Sequence, residues 1–96
     1  MGRWFIWDDW KAALNEWKHG VTLLEAGEIF DDAWGIVRED LFHSQDEDRY
    51  TYYGYSGKGR LLRVSFCYCD GGATVRLISA RVANRAEQRT YYQQRR

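Results

Sequence analysis

The strongest constraint on the fold is an alternation of apolar and polar side chains along residues 60–68. One side of this segment carries Leu62, Val64, Phe66 and Tyr68, and the other side carries Arg63, Ser65 and Cys67. A period of two is typical of a strand with one buried face. Asp70-Gly71-Gly72 follows as a turn, and residues 74–80 return as a second strand. The segment therefore predicts a β-hairpin.

Two helices are predicted between residues 8 and 32. Trp10, Ala13, Leu14 and Trp17 recur at helical spacing as one apolar stripe, and Lys11, Asn15 and Lys18 form a neighbouring polar stripe. Asp8 is the expected N-cap of this helix, and Gly20 is the expected residue beyond its end. Thr22 and Glu25 predict a capping box that starts a second helix, which ends near residues 31–32.

The remaining segments complete the predicted order of elements. Residues 3–7, 36–39 and 49–55 are predicted strands, and the polar residues 43–48 are a predicted loop. Asn84, with Glu87 three residues later, marks the start of a final helix. The order is β-α-α-β-β-β-β-α. Helices grouped ahead of hairpin-linked strands predict an α+β fold with a largely antiparallel sheet packed by helices.

Charge is divided unevenly between the two halves of the 96 residues. Residues 1–48 contain four basic and twelve acidic side chains, a net charge of −8, whereas residues 49–96 contain ten basic and two acidic ones, a net charge of +8. Eleven of the 14 basic residues are arginine, whose planar guanidinium matches phosphate. The imbalance indicates an anionic partner. The alternative is that the acidic half folds onto the basic half and neutralises it.

Several classes of protein do not fit this sequence. No apolar run approaches the roughly 18 residues of a membrane span, and no signal peptide is evident, so a cytoplasmic location is expected. Cys67 and Cys69 would share one face of a strand, which is a poor geometry for a disulfide, and no further cysteine completes a zinc site. Phosphate-cradling glycine loops, nucleophile elbows and zinc-protease motifs are absent, and no cofactor is expected.

The second half carries side chains suited to single-stranded RNA. Guanidinium groups bind backbone phosphates, and aromatic rings stack on bases. The arginines are Arg60, Arg63, Arg76 and Arg81 on the hairpin strands and Arg85 and Arg89 on the final helix, and the tyrosines are Tyr50, Tyr52, Tyr53 and Tyr55. The alternative interpretation is that tyrosine-rich strands simply build a pleated core.

Cleavage of RNA without a metal needs a base for the 2′-hydroxyl, cations for the charge on phosphorus, and an acid for the leaving 5′-oxygen. Arg81 and Arg60 are candidates for the cationic role. Histidine titrates near neutral pH, so His19 is a candidate acid or base, although a histidine at a helix end is also an ordinary cap. The further proton-transfer candidates are Glu25, Glu87 and Tyr91, and the predicted RNA-binding residues are Lys18, Arg49, Arg63, Arg76, Arg85 and Arg89.

Motifs along nearly the whole chain resemble those of BrnT-type toxins. The matching residues are Trp7-Asp8, Lys11, Asn15, Lys18-His19-Gly20-Val21, Glu25-Ala26, Phe30-Asp31-Asp32, His43-Ser44, Asp48-Arg49, Gly54, Gly59-Arg60, Arg76, Ile78-Ser79-Ala80-Arg81, Ala83, Glu87 and Tyr91. The Lys-His-Gly-Val and Ile-Ser-Ala-Arg segments together make the resemblance specific. The sequence departs from the family at Leu23, where an aromatic residue is common, and at Asp48, where glutamate is common.

The resemblance implies one BrnT-like toxin domain over residues 1–96, with a fold related to the RelE superfamily of ribonuclease toxins. It implies a type II toxin–antitoxin ribonuclease that inhibits translation and growth. The implied partner is a BrnA-like antitoxin, which neutralises the toxin and binds operator DNA within a heterotetramer of two toxins and two antitoxins.

Two alternatives to an RNA-cleaving toxin remain open. One is a non-catalytic, toxin-like interaction module that binds an antitoxin and co-represses its operon. The other is direct binding of this chain to duplex DNA, which is disfavoured because no recognition helix is evident. Whether the chain is an RNA-cleaving toxin or a non-catalytic interaction module, we expect the antitoxin to contact the sheet edge and the final helix and to mask Arg81.

Overall fold

The predicted order of elements is confirmed in the computed structural model, which describes residues 4–43 and 48–94. The elements are β1 (Trp4–Ile6), α1 (Asp9–His19), α2 (Leu23–Glu28), β2 (Ile36–Glu39), β3 (Tyr50–Tyr55), β4 (Leu61–Cys69), β5 (Thr74–Val82) and α3 (Arg85–Gln93). Short 3₁₀ turns occupy Ile29–Asp31, Leu41–His43 and Asp70–Gly72. Arg3 of the predicted first strand, Ser44 of the family motif, most of the predicted loop, and Arg95 and Arg96 lie outside the described residues.

The sheet is largely antiparallel, as predicted. Its strand order is β1-β5-β4-β3-β2, and only the β1–β5 pair is parallel among the described strands. The predicted hairpin is formed by β4 and β5. Its turn places Gly71 at φ 67° and Gly72 at φ 97°, where glycine avoids the steric cost that a Cβ atom would add.

Alternation along the strands gives the sheet two chemically different faces. Helices α1 and α2 cover an apolar core made of Val21, Leu23, Ala26, Ile29, Tyr52, Leu62, Val64, Phe66, Val75, Leu77 and Ala80. The other face, here called the open face, carries Arg63, Ser65, Cys67, Arg76, Ser79 and Arg81 on β4 and β5. At one end of it, α3 packs through a smaller apolar cluster of Tyr53, Leu61, Ala83 and Tyr91. Polar and cationic groups therefore concentrate on the open face.

The apolar stripe of α1 points away from the core. Trp10 is 67% exposed and Trp17 is 82% exposed, and Ala13 and Leu14 between them are exposed as well. An amphipathic helix ordinarily turns such a stripe toward the protein interior. Here the opposite side of the helix, with Asn15, is the buried one.

Asn15 is the polar anchor that holds α1 against the sheet. Its Nδ2 donates to the carbonyls of Val21 and Ala80, both at 2.9 Å, and its Oδ1 accepts from the Ala80 N–H at 3.0 Å. These bonds satisfy buried backbone groups that no water reaches. The assignment of Asn15 to the polar stripe with Lys11 and Lys18 is therefore wrong. Its amide can be buried at little cost in free energy because all three hydrogen bonds are made within the protein.

The helix ends carry the predicted capping residues, but two of the predicted capping contacts differ. Gly20, at φ 68°, ends α1 as predicted, and the capping box of α3 is formed in both directions. Thr22 accepts the Glu25 N–H at 3.0 Å, but the Glu25 carboxylate bonds elsewhere, so the predicted box of α2 is half formed. Asp8 precedes α1 in an extended conformation and makes no side-chain cap bond; its carboxylate lies 3.8 Å from Lys11 Nζ.

None of the helices in the described ranges combines the length and apolar character needed to cross a lipid bilayer.

Candidate active site

Two arginines of the open face converge on one carboxylate. Arg63 and Arg81 are directly opposite each other on β4 and β5, so their side chains leave the sheet together. Arg81 donates from Nη1 and Nη2 to the two oxygens of Glu87, each at 2.8 Å, and Arg63 Nε lies 3.3 Å from Glu87 Oε2. Arg63 also donates to Ser65 Oγ at 3.2 Å. The three charged side chains form a partly buried cluster at the protein surface.

Glu87 is fixed in the first turn of α3. Its carboxylate accepts the Asn84 N–H at 2.9 Å while its own N–H donates to Asn84 Oδ1. Burial raises the pKa of Glu87, but the hydrogen bonds from Arg81 and Asn84 and the charges of Arg81 and Arg63 outweigh burial and leave this pKa below its ordinary value. Such a carboxylate stays ionised and is a weak base. Its evident effect is to hold two guanidinium groups in place.

Both arginines retain a donor that no described residue engages. Toward the described residues, Arg81 Nε and Arg63 Nη2 make no hydrogen bond. Guanidinium donors in this position can bind the oxygens of a phosphate while Glu87 retains the others. The arrangement is therefore suited to an anion that arrives from the solvent side of the open face.

A second ion pair lies on the side of the sheet that α1 and α2 cover. The buried Glu25 carboxylate accepts Arg60 Nε at 3.0 Å, a further bond from Arg60 Nη2, and Ser56 Oγ at 2.7 Å. Arg60 Nη2 also donates to the carbonyl of Gly20 at 3.1 Å, so the guanidinium lies at the end of α1, where His19 is exposed. The hydrogen bond from Arg60 lowers the pKa of Glu25, against the opposing effect of burial.

The Glu25–Arg60 pair makes the stability of the fold dependent on pH. Because the pKa of Glu25 is depressed below its ordinary 4.5 in the folded chain, its contribution is complete above that value and is lost as pH falls through the folded-state pKa. We expect Glu25→Gln to lower the free energy of unfolding by about 2 kcal/mol at pH 7. Urea unfolding over a pH series should also show a shallower acid-side decline in the variant.

Glu16→Gln is the control for this prediction, because Glu16 is exposed on α1. We expect its unfolding curve to follow that of the unmodified chain at each pH. An identical acid-side slope in Glu25→Gln and in the unmodified chain would contradict the role assigned to the pair.

Tyr91 occupies a structural position. Its side chain is 1% exposed, and its hydroxyl donates to Asp32 Oδ2 at 2.7 Å. The same oxygen accepts the Tyr55 N–H at 2.8 Å, and the Tyr91 and Tyr55 rings pack edge to face. The hydroxyl thus ties α3 to the segment ahead of β2. The Tyr91 hydroxyl lies away from solvent, whereas the leaving group of an RNA substrate would have to be at the solvent-exposed surface.

The predicted RNA-binding residues fall on separate surfaces. Arg63 belongs to the cluster with Glu87, and Arg76 lies farther along the open face, where it donates to Cys67 Sγ at 3.3 and 3.4 Å. Arg85 and Arg89 are exposed on the outward side of α3, and Lys18 is exposed on α1. The arginines therefore converge only in part.

Arg49 and Arg76 share a small surface pocket. Its volume is about 100 Å³, and Asp8, Lys11, Leu77 and Ile78 complete its lining. Three cations and one carboxylate give it a net positive charge. The pocket lies where the start of α1 meets β5, next to the open face.

Residues 7–87 match the family described as "Ribonuclease toxin, BrnT, of type II toxin-antitoxin system". The matched segment includes both ion-paired clusters and most of the 96 residues. The chain belongs to the BrnT family.

A solved structure supports the fold of this BrnT-family chain. The 1.1 Å crystal structure of the Brucella abortus ribonuclease toxin BrnT is 21% identical, with a TM-score of 0.62, and the alignment covers 86% of this chain and 99% of the Brucella chain. The likeness concerns the fold, which is compatible with the RelE-like assignment. A comparison with curated proteins gives no match.

Three residues that support the site of this BrnT chain were not among the predicted site residues. Ser56 and Asp32 each bind a candidate catalytic residue, and Asn15 fixes the helix that ends at His19. Asn15 and Asp32 lie in the motif that resembles the family, which is the signal that could have singled them out. For Ser56 the sequence shows only a turn. In residues 4–43 and 48–94, no group of three His, Cys, Asp or Glu side chains could hold a metal ion.

Proposed function

We propose that this BrnT-family chain cleaves single-stranded RNA at the end of the open face, where Arg63 and Arg81 converge on Glu87. The observation that carries this proposal is the pair of guanidiniums on adjacent strands, both fixed by one carboxylate and each with a donor that no described residue engages. The family description supports ribonuclease activity in general. We propose further that this cleavage proceeds without a metal ion.

The proposed reaction uses the RNA's own 2′-hydroxyl. Its oxygen loses its proton to a base and attacks the adjacent phosphorus, the bond from phosphorus to the 5′-oxygen breaks as that oxygen takes up a proton, and the products are a 2′,3′-cyclic phosphate and a 5′-hydroxyl. Arg63 and Arg81 stabilise the negative charge that develops on the phosphoryl oxygens. Glu87 acts as a positioning residue, because its lowered pKa makes it a poor proton acceptor.

For proton transfer we propose His19, supported by its exposure at the end of α1 and by the Arg60 bond to the neighbouring Gly20 carbonyl. Arg60 precedes β4 and Arg81 lies near the end of β5, so both clusters lie at the same end of the hairpin. Because a general acid or base acts only within hydrogen-bond reach, the proposal requires the scissile phosphate to lie at this end of the hairpin, between the two clusters. Glu25, enclosed by Arg60 and Ser56, positions Arg60.

We expect His19→Ala to slow RNA cleavage about 100-fold, the usual contribution of a general acid or base. Because His19 is exposed, thermal unfolding should stay unchanged. The measurement is the single-turnover rate on a labelled oligonucleotide, with His19→Gln as a second variant that cannot transfer a proton near neutral pH. An unchanged rate in both variants would leave His19 as a helix cap and nothing more.

The remaining cations are proposed to bind the RNA backbone beyond the cleavage point. Arg49 and Arg76 with Lys11 form the positive pocket next to the open face, which suits a second phosphate. Lys18, Arg85 and Arg89 are exposed and would add salt-dependent attraction.

The partner of this toxin is proposed to be a BrnA-like antitoxin in a complex of two toxins and two antitoxins. Type II toxin families have an antitoxin partner, which supports the existence of such a partner for this chain. We propose that it covers the edge of the sheet and α3, masks Arg81, and supplies the contacts with operator DNA. Inhibition of translation and growth, in the cytoplasm, would follow from the cleavage of cellular RNA.

The proposal is tested with the purified chain and a labelled single-stranded RNA in excess chelator. We expect cleavage that leaves 2′,3′-cyclic phosphate ends. Cleavage only after a divalent metal is added would overturn the metal-free reaction. No cleavage under either condition, by a chain that still binds its antitoxin, would instead support the non-catalytic interaction module.

A further inference from the structure

The outward side of α1 is an apolar surface with ordered charges along its edges. The apolar stripe, defined as Trp10, Ala13, Leu14 and Trp17, lies opposite the buried Asn15. At 100° per residue, Asp9 and Glu16 follow one edge of the stripe, and Lys11 and Lys18 follow the other. A partner helix with one apolar face and opposite charges along its own edges would match this pattern.

Exposed apolar side chains also lie on the strand that precedes α1. Strand β1 directly precedes α1 and forms one edge of the sheet, and its Trp4 and Ile6 are 75% and 47% exposed. Ile6 is the register partner of Arg76. A chain that leaves the stripe can therefore cross β1 and reach the arginines without leaving the protein surface.

The area of the stripe indicates which kind of partner fits. Two exposed tryptophans offer roughly 300 Å², whereas each side of a stable interface contributes about 800 Å². A second copy of this chain that met only the stripe would bury too little. A partner that extends over β1 and the open face adds the missing area, and an acidic continuation would complement the charge of Arg76 and Arg81.

We propose that the apolar stripe of α1 is the anchoring site of the antitoxin, occupied by an amphipathic helix that leads into an acidic segment over the open face. This inference rests on the proposed function for the identity of the partner. In this arrangement the antitoxin is held by one segment and neutralises the toxin with another. Its amphipathic helix binds on the α1 side of the sheet, and its acidic segment masks the arginines on the open face. Tryptophans that are buried in such an interface contribute much of its binding free energy.

The test uses the double variant Trp10→Gln/Trp17→Gln and the protein encoded next to this chain's gene as the antitoxin probe. We expect calorimetry to show binding weakened about 100-fold, with RNA cleavage and thermal unfolding unchanged. The double variant Trp10→Phe/Trp17→Phe should retain most of the affinity. Leu41→Gln, at a residue that is 76% exposed in a 3₁₀ turn, is the control and should bind normally.

The outcomes separate this inference from the proposed function. If the unmodified chain binds the probe and the glutamine variant binds it equally well, the anchoring site is wrong while the antitoxin partner stands. If the unmodified chain does not bind the probe, the partner itself is contradicted. If sedimentation shows that the isolated chain is a dimer which the glutamine substitutions dissociate, the stripe belongs to a second copy and the proposal is overturned.

Discussion

We expect Arg81→Ala to reduce the rate of RNA cleavage about 1000-fold, at the upper end of the effect of removing one donor that stabilises transition-state charge. Arg81 makes the bidentate contact with Glu87 and faces Arg63 across the hairpin. Its loss removes one guanidinium from the phosphate and leaves the other less firmly held. In cells, the same variant should be expressed without arresting growth.

Lys58→Ala is the charge-matched control, because Lys58 is exposed in the turn between β3 and β4. It removes one positive charge and should leave the cleavage rate within twofold. Arg81→Lys is the informative intermediate, because it keeps the charge and loses the planar fork. A folded Arg81→Ala protein with full cleavage activity would exclude Arg81 from the reaction.

We expect Asn15→Leu to lower the free energy of unfolding by about 3 kcal/mol, because it leaves three buried backbone groups without partners. These are the carbonyls of Val21 and Ala80 and the Ala80 N–H. The leucine keeps the number of side-chain heavy atoms and a similar branched shape, so a purely hydrophobic account of α1 predicts no loss. Urea unfolding followed by circular dichroism measures the difference.

Glu16→Leu is the matched control for Asn15→Leu, since it makes the same kind of change on the adjacent, exposed position. We expect a change below about 0.5 kcal/mol there. Equal stability of Asn15→Leu and the unmodified chain would show that the amide does not anchor α1.

The order of elements could be predicted because its signals are local. Alternation along β4, the glycines of the hairpin turn and the Asn84–Glu87 capping box each depend on residues close in sequence. The orientation of α1 could not be predicted this way. Its buried side is chosen by bonds from Asn15 to Ala80, 65 residues away, while its apolar stripe stays free on the outside.

The candidate site was predictable only where it depends on residues that are close in sequence. The hairpin makes the strands that carry Arg63 and Arg81 neighbours, as predicted, and the observed register sets these two residues opposite each other. Arg60 was not separated from them by the sequence analysis, although Arg60 and Arg63 are an odd number of residues apart and alternate residues of a strand point to opposite faces. Arg60 therefore meets Glu25 on the helix-covered side. The Tyr91 bond to Asp32 joins residues 59 apart, and no local pattern signals it.

Binding of RNA to the open face at Arg63 and Arg81 can be followed by NMR titration with a 2′-deoxy oligonucleotide that cannot be cleaved. We predict the largest amide shift changes on β4, β5, the first turn of α3 and the end of α1 at His19, with little change along the stripe from Trp10 to Trp17. Changes centred on α1, with β4 and β5 unaffected, would contradict binding at the open face.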